Sequence, residues 1–173
     1  MDASEHIPEH VIVCGIDGSP ASQRALEWAV AEARYRGCRL RAVTAWDWDG
    51  VEGMVAPGSP AEARSQAEIV QRRALIAALD GVDDPPEVER RLMTGRPSEA
   101  LATAALDAEL LVLGSRGHTT VHDVLVGSTS QRAIRHAACP VVVLPDPRHA
   151  DHELRRTRRH RKATEPPAAT PMF

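Results

Sequence analysis

The chain has 173 residues, of which 43% are apolar and 26% charged, the makeup of one ordinary globular domain with a short appendage. No apolar run approaches the roughly 20 residues that a membrane helix needs, and Met1 to His10, with Asp2, Glu5 and Glu9, lacks the basic-then-apolar order of a signal peptide, so a cytoplasmic location is expected. The net charge of −3 divides into −7 over residues 1–147 and +4 over residues 148–173, which argues against a nucleic-acid-binding fold in the body and leaves any such contact to the tail.

Residues 1–10 read as an N-terminal extension. Val11-Ile12-Val13-Cys14-Gly15-Ile16 is a short β-branched run, the pattern of a strand covered on both faces. Asp17-Gly18-Ser19-Pro20 turns the chain, with Ser19 as N-cap and Pro20 at the first helical position. The helix that follows, about 20–36, carries Leu26, Ala29, Val30 and Ala33 on one face and stops at Gly37. A strand over about 39–45 precedes a loop, 46–60, rich in Gly, Pro and Asp. Ala61 to Leu79 reads as an alanine-rich helix, and Pro85-Pro86 separates it from a strand over about 87–94. Gly95-Arg96-Pro97-Ser98 opens a helix to about Asp107, and Leu110-Leu111-Val112-Leu113 is a fourth strand. It runs into Gly114-Ser115-Arg116-Gly117, then nine loop residues, then Gly127-Ser128-Thr129-Ser130. A short helix, about 129–137, and a last strand, Val141 to Leu144, complete the body over 11–147. The alternation predicts an α/β fold, a five-stranded, mostly parallel sheet with helices on both faces. Residues 148–173, with their arginine pairs and prolines, cannot bury a core and read as a basic disordered tail.

Composition also restricts the chemistry. Lysine occurs once, at Lys162, and the other 20 basic residues are arginine. The body therefore holds no lysine for a Schiff base or a P-loop phosphate clamp. Cys14, Cys38 and Cys139 lie far apart with no C-x-x-C and read as reduced thiols. His118, His122 and Asp123 have no fourth ligand nearby and read as loop residues, without metal. No G-x-S-x-G elbow is present, so no catalytic residues are expected.

Open α/β sheets bind ligands beyond the carboxyl ends of their strands, where the strand order reverses. Two turns stand at such ends: Asp17-Gly18-Ser19 after the first strand and Gly114 to Ser130 after the fourth. A glycine-rich turn exposes consecutive N–H groups, and a helix N-terminus adds unpaired donors and partial positive charge, both of which favour phosphate.

The spacing Gly114-x2-Gly117-x9-Gly127-Ser128 resembles the ATP-binding motif of the universal stress protein family. Val11 to Ser19, Ala25-Leu26-Glu27-Trp28-Ala29, Gly95-Arg96-Pro97, Asp107 to Gly114 and Cys139-Pro140-Val141-Val142-Val143 are similar to it too, so the resemblance covers about 11–145. It implies a strand order of 3-2-1-4-5, one ATP per domain, with Mg2+, and a homodimer joined through the last strand, Val141 to Leu144. It implies that Asp17 holds the ribose hydroxyls or a metal-linked phosphate, that Gly15 and Ile16 lie beside the nucleoside, and that Val43 packs near adenine. Leu113, Gly114, Gly117, Gly127, Ser128, Thr129 and Ser130 would line the phosphates, with Arg116 lending positive charge. His118-Thr119-Thr120 departs mildly from the family's loop.

The resulting expectation is a stress-response binding protein that holds ATP with at most slow hydrolysis. Two alternatives stay open: a cyclic-AMP-binding signalling protein, and a dimeric interaction protein that works without nucleotide.

Overall fold

The computed structural model describes residues 10–47, 58–115 and 126–146. The extension before His10, the basic tail, Arg116 and Gly117 lie outside the described residues. Five strands, β1 (Val11–Gly15), β2 (Arg39–Trp46), β3 (Val88–Thr94), β4 (Leu110–Gly114) and β5 (Val141–Leu144), alternate with α1 (Pro20–Arg36), α2 (Pro60–Leu79), α3 (Pro97–Ala104) and α4 (Ser128–His136). The sheet is parallel throughout, in the order β3-β2-β1-β4-β5, as the alternation and the family resemblance imply.

Strands β1 and β4 carry no charged or hydroxyl side chain because both faces are covered. Ile12 and Cys14 of β1 join the α1 and α2 side, where Leu26, Val30 and Leu75 pack, with Trp28 partly buried against them. Val11 and Val13 point the other way, into a cluster with Leu101, Leu113 and Ala133 from the α3 and α4 side. Each fully buried Val, Leu or Ile contributes roughly 1.5–3 kcal/mol, so β1 and β4 anchor the domain. Local signals set the helix ends. Ser19 Oγ accepts from Ser22 N at 3.1 Å, Pro20 sits in the first turn, and Gly37 takes the left-handed conformation (φ 68°) that closes α1.

One buried charge ties three elements together. Arg41 of β2 is 2% exposed. Its guanidinium donates to Asp107 Oδ1 (2.6 Å), to Glu89 Oε2 of β3 (2.7 Å) and to the Ala104 carbonyl (2.8 Å). This explains why α3 ends at Ala104, three residues short of the expected Asp107. The chain tightens through Ala105 N to Ala102 O and Leu106 N to Thr103 O bonds, which brings the Asp107 carboxylate to Arg41. Gln71 of α2, also buried, donates to the Ala42 and Arg91 carbonyls (3.1 and 2.9 Å) and accepts from Arg90 Nε (3.1 Å), which fixes α2 on β2 and β3.

The hydrogen bond from Arg41 holds the Asp107 carboxyl below its ordinary range. Burial pushes the Glu89 carboxyl up, but hydrogen bonds from Arg41 and Arg91 outweigh it and the group also ends lowered. Groups lowered in the folded state stabilise it above their unfolded values, about pH 4, and the contribution is lost as pH falls through the folded values. Arg41→Met is expected to cost about 2 kcal/mol, less than the ~3–5 kcal/mol of a fully buried broken pair, because both carboxylate side chains keep 29% exposure. Denaturant unfolding from pH 7 to pH 3 checks this: the native chain should lose stability below about pH 4 more steeply than the variant.

Candidate functional site

The strand order reverses between β1 and β4, since the chain runs outward to β2 and β3 on one side and to β5 on the other. The crevice beyond their carboxyl ends is where open α/β sheets take ligands. Gly15-Ile16-Asp17, the first turn of α1, Gly114-Ser115 and the first turn of α4 border it.

Beyond β1, Ile16 N donates to the Val43 carbonyl at 2.8 Å. Asp17 Oδ1 accepts from Ser19 N (2.8 Å) and Asp17 N donates to Ser22 Oγ (3.3 Å). The exposed Asp17 thus shapes the turn into α1, and Gly18 between them takes φ 82°, a conformation that side chains rarely adopt.

Beyond β4, a Cβ on Gly114 would stand 2.7 Å from Ala21 C and Ser22 N. The backbone that passes close at Gly114 is therefore that of α1, and the missing side chain is required by helix–strand packing before any ligand is considered. Three further bonds knit this end. Ser130 Oγ donates to the Gly114 carbonyl (2.8 Å), Gly127 N to the Ser115 carbonyl and Ser115 N to the Leu144 carbonyl (both 2.7 Å). The Ser115 hydroxyl also accepts from Asp146 N at 3.1 Å. Ser115 is buried and connects β4, α4 and the exit of β5, a role that a serine between two motif glycines does not announce in the sequence.

The N-terminus of α4 is held at the crevice, and its N-cap, Gly127, has no side chain to close it. Neither α1 nor α4 carries an acidic residue in its first turn, whereas α2 and α3 carry Glu62 and Glu99 there. The two helices that begin at the switch point are the two whose positive poles lack a first-turn carboxylate. Arg135 and His136 occupy the last turn of α4, at its negative pole.

Gly15, Ile16, Asp17, Leu113, Gly114, Gly127, Ser128, Thr129 and Ser130 all belong to the segments that end or begin at this edge. Ser130 has its hydroxyl proton on Gly114, and Leu113 and Val43 are buried in the α3 and α4 side core. Cys14, just before the turn, is fully buried, and burial followed by the charge of Asp17 pushes its thiol far above the ordinary range, which fits an inert core residue.

This is the doubly wound class of parallel α/β domain, with its anion-suited helix terminus at the switch point. The chain belongs to the universal stress protein family, whose sequence profile matches residues 9–145. It is 36% identical over 138 residues to universal stress protein Rv2005c of Mycobacterium tuberculosis, a match that covers 79% of this chain and 46% of that protein, so the chain spans about half the length of its mycobacterial relatives. It is 35% identical over 136 residues to a universal stress protein of Thermus aquaticus, with 77% of this chain and 96% of that protein covered. Among solved structures, it is similar to a universal stress protein in complex with cAMP, at TM-score 0.60 and 26% identity, over 79% of this chain and 97% of that one. UspA from Lactobacillus plantarum gives a TM-score of 0.61 at 25% identity, over 78% and 96%.

Ser130→Ala is expected to cost about 1 kcal/mol through the lost bond to Gly114. Gly114→Ala should cost more, about 2 kcal/mol, because the neighbour it meets is backbone and cannot rotate away. Chemical denaturation of both variants measures the order.

Proposed function

We propose that the chain is a regulatory module that holds an adenine nucleotide, ATP with Mg2+, in the crevice between β1 and β4. The observation that carries this reading is the α4 N-terminus, glycine at its N-cap, at the topological switch point. Its N–H groups and the Ser128 and Thr129 hydroxyls form a donor set suited to phosphates. The residues fit such a ligand in a second respect, the absence of first-turn carboxylates at the α1 and α4 N-termini. Asp17, exposed at the β1 end, would take the ribose or a magnesium-linked phosphate, and Gly15 and Ile16 would flank the nucleoside, with Val43 behind the adenine. Leu113, Gly114 and Gly127 would border the phosphate chain with Arg116 and Gly117.

The proposed role is to hold the nucleotide, with at most slow turnover. The body has no lysine to neutralise a developing phosphoryl charge, so grip comes from backbone donors, hydroxyls and arginine. A bound nucleotide would change the populations of the glycine-loop conformations or of the assembly. The reading includes a cytoplasmic homodimer through β5, which lies at the sheet edge with all four residues, Val141 to Leu144, only half-buried. A second reading, cyclic AMP as the cognate ligand, is favoured by the similar structure in complex with cAMP.

Calorimetry on full-length protein freed of nucleotide tests both readings. ATP·Mg2+ should bind one per chain and more tightly than cAMP; the reverse order supports the second reading, and no heat with either contradicts both. Ser128→Glu should weaken ATP at least tenfold, about 1.4 kcal/mol, while leaving the melting temperature level or higher, because a carboxylate suits a helix N-terminus but repels phosphate. Light scattering on the same samples should return twice the chain mass.

A further inference from the structure

The amino-terminal ends of the strands carry chemistry that nucleotide binding does not use. His10, Cys38 and Glu109 each stand immediately before a strand, β1, β2 and β4 respectively. These three strands are neighbours, in the order β2-β1-β4, so the parallel register brings the three residues together. Backbone bonds hold the juxtaposition: Arg39 N donates to the His10 carbonyl at 2.9 Å and Glu109 N to the Val11 carbonyl at 3.0 Å. His10 Nδ1 lies 2.6 Å from Glu109 Oε1, and the Cys38 thiol donates to Glu109 Oε2 at 3.6 Å. One ligand atom from each side chain lies within 4.8 Å of the others.

We propose that His10, Cys38 and Glu109 form a binding site for a divalent transition-metal ion of the zinc class. An imidazole, a thiolate and a carboxylate are the donor types that Zn2+ accepts, and three protein ligands with water in the fourth position are a common zinc arrangement. Bonds of about 2.0–2.3 Å to a tetrahedral ion separate ligand atoms by roughly 3.3–3.8 Å, within reach of the observed cluster. His10, with its side chain 80% exposed, is free to rotate and admit the ion between itself and Glu109.

A second, independent feature favours a cation here. Cys38 follows the C-terminus of α1, where Gly37 N and Cys38 N close the helix on the Arg34 and Ala33 carbonyls, so the negative pole of a 17-residue helix ends at the cluster. Arg34 and Arg36 occupy the last turn of α1, and the charge of Arg36 bears on Cys38 and Glu109. Arg36 is engaged by Glu32, with Nε 2.6 Å from Oε1, which offsets its repulsion of an incoming ion. Binding would displace the thiol proton to solvent and join the starts of three strands through one ion. This site is independent of the nucleotide reading, since it lies at the other end of the strands.

The test uses the full-length protein, stripped of metal by a chelator and titrated with Co2+ and then Zn2+ alone. One Co2+ per chain should produce a near-ultraviolet thiolate-to-cobalt band that Zn2+ abolishes. The band should be missing in Cys38→Ser and retained in Cys14→Ser and Cys139→Ser. His10→Ala alters an exposed side chain and should stay folded, as far-ultraviolet dichroism will report; it should weaken Zn2+ at least roughly tenfold, as should Glu109→Gln, since even changes outside the ligand shell commonly cost that much. No thiolate band at stoichiometric Co2+, a band that survives Cys38→Ser, or unchanged affinity in both His10→Ala and Glu109→Gln would overturn the proposal.

Discussion

The contact on which the rest of the structure depends is the close approach of β4 to the beginning of α1 at Gly114. No Cβ fits between that glycine and the Ala21–Ser22 backbone. The first turn of α1 therefore seats directly on the carboxyl end of β4, and the turn that delivers it, Asp17-Gly18-Ser19, must be tight. Because Ser130 bonds the carbonyl of the same glycine, the start of α4 is registered on this point as well. Two helix N-termini and two strand C-termini thus converge on one residue. A crevice built this way has its donors fixed by backbone geometry, with little side-chain entropy to lose when an anion is bound.

That construction bears on chemistry. Transfer of a phosphoryl group needs charge aimed at atoms that move, commonly a lysine, an arginine or a metal ion positioned on the γ-phosphate. The body of this chain has no lysine. At the crevice the described residues offer N–H groups and small hydroxyls at a helix terminus, donors that serve a bound anion in its ground state as well as in its transition state. The proposed role of retaining a nucleotide draws on this construction. The same construction assigns the motif glycines unequal roles: Gly114 serves the packing of α1, and Gly127 the start of α4, where its N–H meets the Ser115 carbonyl.

Much of the fold was legible in the sequence because its signals are local. Buried parallel strands leave apolar runs, and Ser19, Pro20 and Gly37 mark the ends of α1 through properties of single residues. What stayed hidden depends on partners distant in the chain. Arg41 stands in a strand that also holds Leu40, Ala42 and Val43, and only the arrival of Glu89 and Asp107, 48 and 66 residues away, makes its burial tolerable; the same partnership shortens α3. Gln71 in an alanine-rich helix reads as a surface residue until the β2 and β3 carbonyls are placed beside it. Of the candidate site, the turns at Asp17 and Gly114 were marked by local residues, but the connecting role of Ser115 was not, since a serine after a strand carries no signal of its own. His10, Cys38 and Glu109 were invisible as a group for the same reason: His10 and Glu109 are 99 residues apart, and Cys38 and Glu109 are 71.

The two ends of the strands therefore divide the chemistry, with backbone donors at the carboxyl ends of β1 and β4 and a mixed nitrogen, sulfur and oxygen cluster at the starts of β1, β2 and β4. The most direct measurement is an amide nuclear magnetic resonance titration of the isotope-labelled, nucleotide-free chain with ATP·Mg2+. The largest shifts should fall on the amides of Asp17, Gly114, Gly127, Ser128 and Thr129, with the β3 amides unmoved. Saturable shifts that bypass the first turn of α4, or no shifts at all, would contradict the proposed nucleotide site.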